Sequence, residues 1–522
     1  MIPQATALRL FVAGGSGYLG RQVCREAVQR GWAVTSLSRR GANPCPGNDV
    51  LDQVTWVKGS AADAALLESL AADADAFVHA IGLLLDSSSG LAKLNFLTSG
   101  SRSVPGEGAT YDSEMRATCI ALLEAARRTK PAGGAARPFV FVSAAEAGWE
   151  SNALGQKIEG SLAPSWLGRY LTAKRLVEAT LTAEAASAGI RPILARPSFM
   201  WDETKLDILP LLPVWAAGHA LNIGDGTFAP PLRVEVAGAG IVAAAADGAV
   251  EGVVSSSRLI ELAPLAVKMR PGPLDTLASG LASISRLPYG TTVAAELTDE
   301  RASARAARPA APALRLYEFE GCPFCRRVRE AATYLDLDYT VVPCGRGSRH
   351  RAHVEEAARA AGKARPSYPY LEDDTAGVNL FESADIVNHL LAAYGPGLPL
   401  PPPSDFFFPS TIVTGWAPLL LRAGKGGSVV DTVRGSPPPA KPLVLYSYDG
   451  NQFCRLVREA LTELDLTHEI QSVGKGSPRR AALRDIAGAS SAPYLVDPNT
   501  GRAMGESADI VEYLFRTYAD RI

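Results

Sequence analysis

The C-terminal part of the chain carries one pattern written twice. Leu316-Tyr317-Glu318-Phe319-Glu320-Gly321 is answered by Leu445-Tyr446-Ser447-Tyr448-Asp449-Gly450, and Phe324-Cys325-Arg326-Arg327-Val328-Arg329-Glu330 by Phe453-Cys454-Arg455-Leu456-Val457-Arg458-Glu459. Further on, Tyr368-Pro369-Tyr370-Leu371 pairs with Ala492-Pro493-Tyr494-Leu495, and Glu382-Ser383-Ala384-Asp385 with Glu506-Ser507-Ala508-Asp509. Matching order and spacing over about 80 residues excludes coincidence, so this region must form one small fold twice.

The chain has 522 residues, room for several domains. From Leu8 to about Val254, short apolar runs alternate with helical patterns. The runs are Leu8 to Ala13, Ala33 to Leu37, Val54 to Lys58, Ala76 to Ile81, Phe139 to Ser143 and Pro192 to Arg196; Gly20 to Arg30 and Arg169 to Ala188 are among the helices between them. Such alternation predicts a doubly wound parallel sheet of Rossmann type. The fold class is therefore α/β: a Rossmann sheet followed by a smaller domain present twice, which the motifs described below liken to the thioredoxin fold. The boundaries expected are 5–255 for the first domain, 256–312 for a helical extension and linker, and 313–395 and 442–522 for the repeats. A Pro-rich linker, 396–441, separates the copies, and 83–108 reads as a Ser/Gly-rich insertion.

Charge narrows the partners. The formal net charge is −2, which offers no basic field for nucleic acid. No transmembrane segment is expected, because the most apolar stretch, Phe406 to Leu421, is broken by Pro409, Gly415 and Pro418 and reads as a buried linker. The first strand is expected within about ten residues of Met1, leaving no leader ahead of it unless one has been removed. Seven scattered cysteines do not form a secreted disulfide framework and fit a reducing compartment with one local dithiol.

Gly14, Gly17 and Gly20 lie between the first strand and the first helix at Gly-x-x-Gly-x-x-Gly spacing. That spacing permits a tight turn, lets backbone approach a pyrophosphate near Tyr18 and Leu19, and lets the helix pack on the sheet. The second strand ends in Ser38-Arg39-Arg40. Two arginines in place of an acidic residue favour a 2′-phosphate, hence NADP(H) over NAD; a solvated basic turn is the other reading. Tyr170 and Lys174 stand four apart on one helical face, and Ser143 ends a preceding strand. The bland alternative has Tyr170 packing and Lys174 solvated.

With these motifs in place, residues 8 to about 250 resemble the atypical short-chain dehydrogenases. They are similar to the group around the Rossmann accessory subunit of respiratory complex I, ubiquinone-synthome proteins and plastoglobule homologues. Besides Gly14 to Gly20 and Tyr170 to Glu178, the carrying segments are Leu51 to Val57, Ala195 to Met200 and Pro230 to Val236. The resemblance implies Tyr170 as general acid/base, Lys174 lowering its pKa and holding the nicotinamide ribose, and Ser143 as their partner. Ser60 departs from a usual adenine-contacting Asp, and Ser198 from a common Gly.

In the first repeat, Cys322-Pro323-Phe324-Cys325 follows a strand and opens a helix. A helix N-terminus stabilises a thiolate, with Arg326 and Arg327 adding positive charge, so Cys322 is the expected nucleophile and Cys325 the resolving thiol. No metal site is expected: His350 and His353 are the only nearby pair and zinc needs more ligands. The second repeat has Asn451 in place of the leading cysteine, leaving Cys454 alone. Both repeats resemble the N-terminal thioredoxin-like domain of glutathione transferases and glutaredoxins, of a tandem kind found in plant and algal plastids. That likeness implies cis-prolines at Pro369 and Pro493, and glutathione held by Glu382-Ser383 and Glu506-Ser507. Classical conjugation is disfavoured because no all-helical second domain follows either copy.

These readings combine into an NADPH-binding oxidoreductase with one glutaredoxin-like domain. It would act on a small molecule (a quinone or isoprenoid carbonyl) or a protein thiol, in a chloroplast or else a mitochondrion. Two rivals are a non-catalytic accessory subunit of a respiratory or photosynthetic membrane complex, and a glutathione-binding adaptor.

Overall fold

The computed structural model describes residues 8–95, 106–130, 134–202, 205, 212–224, 226–299, 313–395, 397–398, 416 and 418–519. Residues 399–415, and with them most of the apolar stretch from Phe406, lie outside the described residues, as does part of 83–108. The chain divides into two compact units, Met1–Lys268 and Met269–Ile522.

The first unit is built on β1 (Arg9–Ala13), β2 (Ala33–Ser38), β3 (Thr55–Lys58), β4 (Ala76–His79), β5 (Arg137–Val142) and β6 (Ile190–Arg196). A short parallel pair, β7 (Met200–Trp201) and β8 (Leu232–Arg233), precedes β9 (Gly252–Ser255). The sheet order is β3-β2-β1-β4-β5-β6-β9, every pairing parallel. The central strands β1, β4, β5 and β6 are buried on both faces, as parallel strands covered by helices are. In β1, Leu10 and Val12 face a core with Val23 of the first helix and Ile241 of Val234–Ala246. Phe11 and Ala13 face the other core with Leu67, Leu122 and Leu181, from three further helices. Small residues let the helices close in: a Cβ on Gly240 would stand 2.3 Å from the Leu259 carbonyl oxygen. That contact draws Ser256–Leu262 into this unit, a stretch expected to begin the extension.

The second unit holds both repeats in one sheet. The first copy contributes β10 (Leu314–Glu318), β11 (Tyr339–Pro343), β12 (Tyr370–Asp373) and β13 (Val378–Phe381); the second contributes β14 (Leu443–Ser447), β15 (His468–Ser472), β16 (Tyr494–Asp497) and β17 (Arg502–Met504). Within each copy a parallel pair is extended by two antiparallel strands and covered by helices, the thioredoxin arrangement. The order β13-β12-β10-β11-β15-β14-β16-β17 is a head-to-head duplication, closed by antiparallel pairing of β11 with β15. Each copy thereby covers an edge that would otherwise expose unpaired backbone.

Buried charge is concentrated where the copies meet. Six arginines (Arg286, Arg326, Arg329, Arg422, Arg455, Arg458) meet five carboxylates (Glu318, Glu320, Glu330, Asp449, Glu459), each of these eleven side chains at most 5% exposed. Arg329 reaches Asp449 at 2.8 Å and Glu320 at 3.2 Å, and also pairs with Glu318; Arg458 reaches Glu320 at 2.9 Å. Removing one member of such a set strands its partner, at a cost of about 3–5 kcal/mol.

The flanking segments are part of this architecture. Arg286 clasps Glu330 through its Nε at 3.0 Å, and Arg422 clasps Glu459, the equivalent residue of the second copy, at 2.9 Å. Four residues after each arginine comes a glycine of positive φ, Gly290 and Gly426, whose carbonyl accepts from Gly450 and Gly321 respectively. A residue two further on makes a parallel bridge, Thr292 to Lys475 and Ser428 to Arg346. From Pro418 onward the stretch expected as a linker is therefore packed, and it repeats what precedes the first copy.

Candidate functional sites

Gly14, at φ +89°, turns the chain directly after β1, and its N–H donates to the Leu37 carbonyl at 2.9 Å. A Cβ there would meet the Ala80 carbonyl at 3.0 Å, which places the turn in the crevice between β1 and β4, where the strand order reverses. A Cβ on Gly20 would lie 2.2 Å from the Gly14 carbonyl oxygen, so the helix can start there only as glycine. Leu19, at the N-cap, makes no side-chain cap; the Arg21 N–H donates to the Gly17 carbonyl at 3.1 Å and the Gln22 N–H to the Leu19 carbonyl at 3.0 Å. Ser38 ends β2 and accepts from the Gly41 N–H at 3.1 Å; Arg39 and Arg40 are exposed beside it. Ser60 accepts from the Ala62 N–H at 3.2 Å. This cradle fits a dinucleotide: it is cleared of Cβ atoms at Gly14 and Gly20, and the positive end of a helix dipole begins at it.

Ser143 follows β5 directly, and its buried hydroxyl has no hydrogen-bond partner among the described residues. Tyr170 and Lys174 sit one turn apart on Ser165–Ala188. Lys174 donates to the Val142 carbonyl at 2.6 Å, and its Nζ lies 4.8 Å from the Phe141 ring centre and 5.5 Å from that of Tyr170. All three residues thus gather at the carboxyl end of β5, and Lys174 is buried rather than solvated. Burial pushes its ammonium down to about 8. Burial, then Glu146 and Tyr111, push the Tyr170 phenol well above its ordinary value. The half-buried Glu146 carboxyl is itself pushed up to about 7 by burial.

In the first thioredoxin copy Cys322 caps Pro323–Tyr334, its Sγ accepting from the Cys325 N–H at 3.3 Å and lying 3.9 Å from the Tyr368 carbonyl oxygen. Burial pushes this thiol up. Hydrogen bonds from the Cys325 thiol and from the Cys325 and Phe324 amides outweigh burial, and Cys322 ends below the ordinary thiol range. Cys325, fully buried against it, is pushed well above. The arginines are placed differently from expectation: Arg326 turns to Asp449 at 3.2 Å and Arg327 to Ser383 at 3.5 Å. Pro369 and Pro493 follow cis peptide bonds. Glu382 and Glu506 both hold positive φ, +68° and +62°, just before helices that start at Ser383 and Ser507. A strained glutamate kept in both copies is a constraint the fold supports twice. Glu382 accepts from Lys363 at 3.0 Å and Ser367 at 3.2 Å.

In the second copy Asn451 performs the thiol's structural work. Its Oδ1 accepts from the Phe453 and Cys454 N–H groups at 2.8 and 3.2 Å, and its Nδ2 donates to the Ala492 carbonyl at 3.2 Å. Cys454 is fully buried, and burial pushes its thiol up. Among the described residues no group of three His, Cys, Asp or Glu side chains could hold a metal; His353 instead lies 2.7 Å from Glu372.

Residues 10–200 match the NAD dependent epimerase/dehydratase family, and residues 316–401 and 445–521 each match the glutathione S-transferase N-terminal domain. MIOREX complex component 2 of Saccharomyces cerevisiae is 31% identical over 244 residues, 42% of this chain and 81% of the yeast protein. The chain belongs, through its first unit, to that epimerase/dehydratase family. A chloroplastic protein of Arabidopsis thaliana, At1g32220, shares 45% identity over 51 residues, 10% of this chain and 17% of its own. Among solved structures, WbmF of Bordetella bronchiseptica in complex with NAD+ covers 50% of this chain and 77% of its own at 16% identity and TM-score 0.32. The UDP-N-acetylglucosamine 4-epimerase of Methanobrevibacter ruminantium covers 51% and 83% at 15% identity and TM-score 0.34.

In this epimerase/dehydratase-type unit, sequence reasoning missed Glu146, which has no motif around it. In the two transferase-type domains it missed the clasp. Gly345-Arg346-Gly347-Ser348 and Gly474-Lys475-Gly476-Ser477, with Arg286/Gly290 and Arg422/Gly426, carry the repeat beyond the stretches first aligned. Those signals were available in the spacing.

Proposed function

We propose that the protein is an NADPH-binding oxidoreductase of short-chain dehydrogenase type, carrying one thiol-active, glutaredoxin-like domain and one copy that has lost its nucleophile. The observation that carries the reading is Lys174, buried and held against Val142 beside Ser143 and below the Tyr170 ring. A lysine is placed there at the cost of desolvation, which is hard to explain by packing alone. Gly14, Gly17, Tyr18, Leu19 and Gly20 would hold the pyrophosphate, and Ser38, Arg39 and Arg40 the adenosine ribose with its 2′-phosphate. When bound, the nicotinamide supplies hydride. Tyr170, kept protonated by its surroundings, gives a proton to the carbonyl oxygen of a quinone or isoprenoid substrate. The unpartnered Ser143 hydroxyl donates to the same oxygen. Cys322 acts on a disulfide or glutathione conjugate, with Pro369, Glu382 and Ser383 holding glutathione; Pro493, Glu506 and Ser507 keep the same framework without a nucleophile.

A plastid setting is supported by the chloroplastic relative from Arabidopsis. No helix among the described residues is long and apolar enough to cross a membrane. A second reading, an accessory subunit of a larger complex, is favoured by one observation: the yeast relative is by name a component of a complex. NADPH oxidation by the purified chain, assayed separately with a quinone and a disulfide acceptor, tests the first reading. Turnover with either acceptor supports it, and none with both moves the second ahead.

A further inference from the structure

A small recess opens in the second unit, walled by Glu320, Cys322 and Arg326 of the first thioredoxin copy, Arg455 and Glu459 of the second, and Arg422 and Lys425 of the segment before it. Arg326 and Arg455 occupy equivalent places in the two copies, and each is 3% exposed. Arg326 gives its Nε to Asp449 and its Nη1 to the Ala282 carbonyl at 3.0 Å, while its Nη2 has no partner among the described residues. Arg455 gives its Nη1 to Glu320 at 3.3 Å, and both its Nε and its Nη2 are without partners among the described residues. Unmet guanidinium N–H groups are costly to bury, and here they belong to two like charges in one recess. Burial first, then Arg326, push the Arg455 guanidinium down to about 10. Around them, Asp275, 3.4 Å from Arg422, and the buried Glu463 add to the five carboxylates that face the six arginines, and burial pushes one of these, Glu318, up to about 7.

We propose that this recess binds an oxyanion, the carboxylate or phosphate of a small ligand, through the free N–H groups of Arg326 and Arg455, within the same walls as Cys322. This deepens the thiol reading above and rests on it: the compound that meets Cys322 is acid-bearing, with its anionic end between the two copies. A guanidinium fork suits a planar oxyanion, and two forks in a desolvated recess select for charge.

Two alkylating reagents that differ in charge test it. The full chain is treated at neutral pH with iodoacetate and iodoacetamide together, and each cysteine is mapped by mass spectrometry. The iodoacetate-to-iodoacetamide ratio at Cys322 should exceed that at the exposed Cys45 by about fivefold or more. Arg455→Met should bring it to the Cys45 value while Cys322 still takes iodoacetamide, and Arg455→Lys, which keeps the charge without the fork, should restore it only in part. Inorganic phosphate that competes extends the site to free phosphate; phosphate without effect, with the preference intact, assigns it to organic carboxylates. A ratio at Cys322 equal to that at Cys45, or one unchanged in Arg455→Met, overturns the proposal. If Cys322 takes neither reagent, the thiol reading falls and phosphate decides the recess. A phosphate-dependent rise in melting temperature, present in the wild type and absent in Arg455→Met, keeps it, and no rise in the wild type removes it.

Discussion

Cys322 and Asn451 hold the same N-cap in two copies of one fold, so one chain supplies an experiment and its control. Both side chains accept from the amides of the following turn, but only one can become a nucleophile. A thiolate near a helix N-terminus has its pKa lowered to roughly 3.5–7.5, against about 8.5 for a free thiol. Cys322 should therefore alkylate with iodoacetamide at mildly acid pH much faster than Cys454, and peptide mapping after a short pulse reads both. Equal rates would remove the glutaredoxin-like role. Tyr170→Phe should lower any NADPH-dependent turnover by about 10²–10⁴ while leaving nucleotide affinity unchanged, as expected for a proton donor rather than a binding group. Steady-state kinetics beside a binding titration separate the two effects. The motif residues were legible because their chemistry fixes their spacing. Glu146 was not, because only the packing around Tyr170 makes that carboxyl unusual.

At the scale of elements, the turn from β1 into the first helix and the clasp before each thioredoxin copy carry the most. Gly20→Ala puts a methyl 2.2 Å from the Gly14 carbonyl oxygen, so the turn must open. The variant should lose nucleotide binding and about 1–3 kcal/mol of stability, read by titration and denaturant melts. Glu463 accepts from the Gly426 N–H at 2.9 Å inside the clasp, and burial pushes its carboxyl up to about 7. The unfolded chain loses this proton near pH 4.3, so between about 4.3 and 7 only the native state keeps it. Its contribution is complete below the unfolded value and is lost as pH rises toward 7. Glu463→Gln keeps an acceptor for Gly426 without that loss. It should be the more stable protein above pH 7, by about 3–4 kcal/mol, and indistinguishable near pH 4. Melting curves at the two pH values check this, and a variant no more stable above pH 7 would show the carboxyl to be ordinary. The clasp was masked by composition, since Pro-rich, Gly-rich stretches read as linkers, although its Arg-x-x-x-Gly spacing recurs in the sequence; contacts such as Arg422 with Glu459 show that these stretches pack.

For the whole molecule, the fold class was legible because two periodicities are plain: strands alternating with helices in the first unit, and a duplicated block in the second. The strand order and the two-faced burial of β1 follow from that alternation. The joining of the repeats into one eight-stranded sheet was not legible. Edge pairing of β11 with β15 depends on Thr340 meeting Glu469 across copies, and no local pattern announces it. The proposed choice of NADPH over NADH rests on two residues that are exposed and simple to change, Arg39 and Arg40. The most direct measurement is therefore a fluorescence titration of the purified chain with NADPH and NADH, in the wild type and in Arg39→Ala/Arg40→Ala. We expect NADPH to bind the wild type more tightly, and the double variant to lose that preference with little change for NADH. Each lost charged hydrogen bond is worth roughly 1.5–3 kcal/mol. Absence of binding by either nucleotide, or equal losses for both, would contradict the reading of the first unit as an NADPH site.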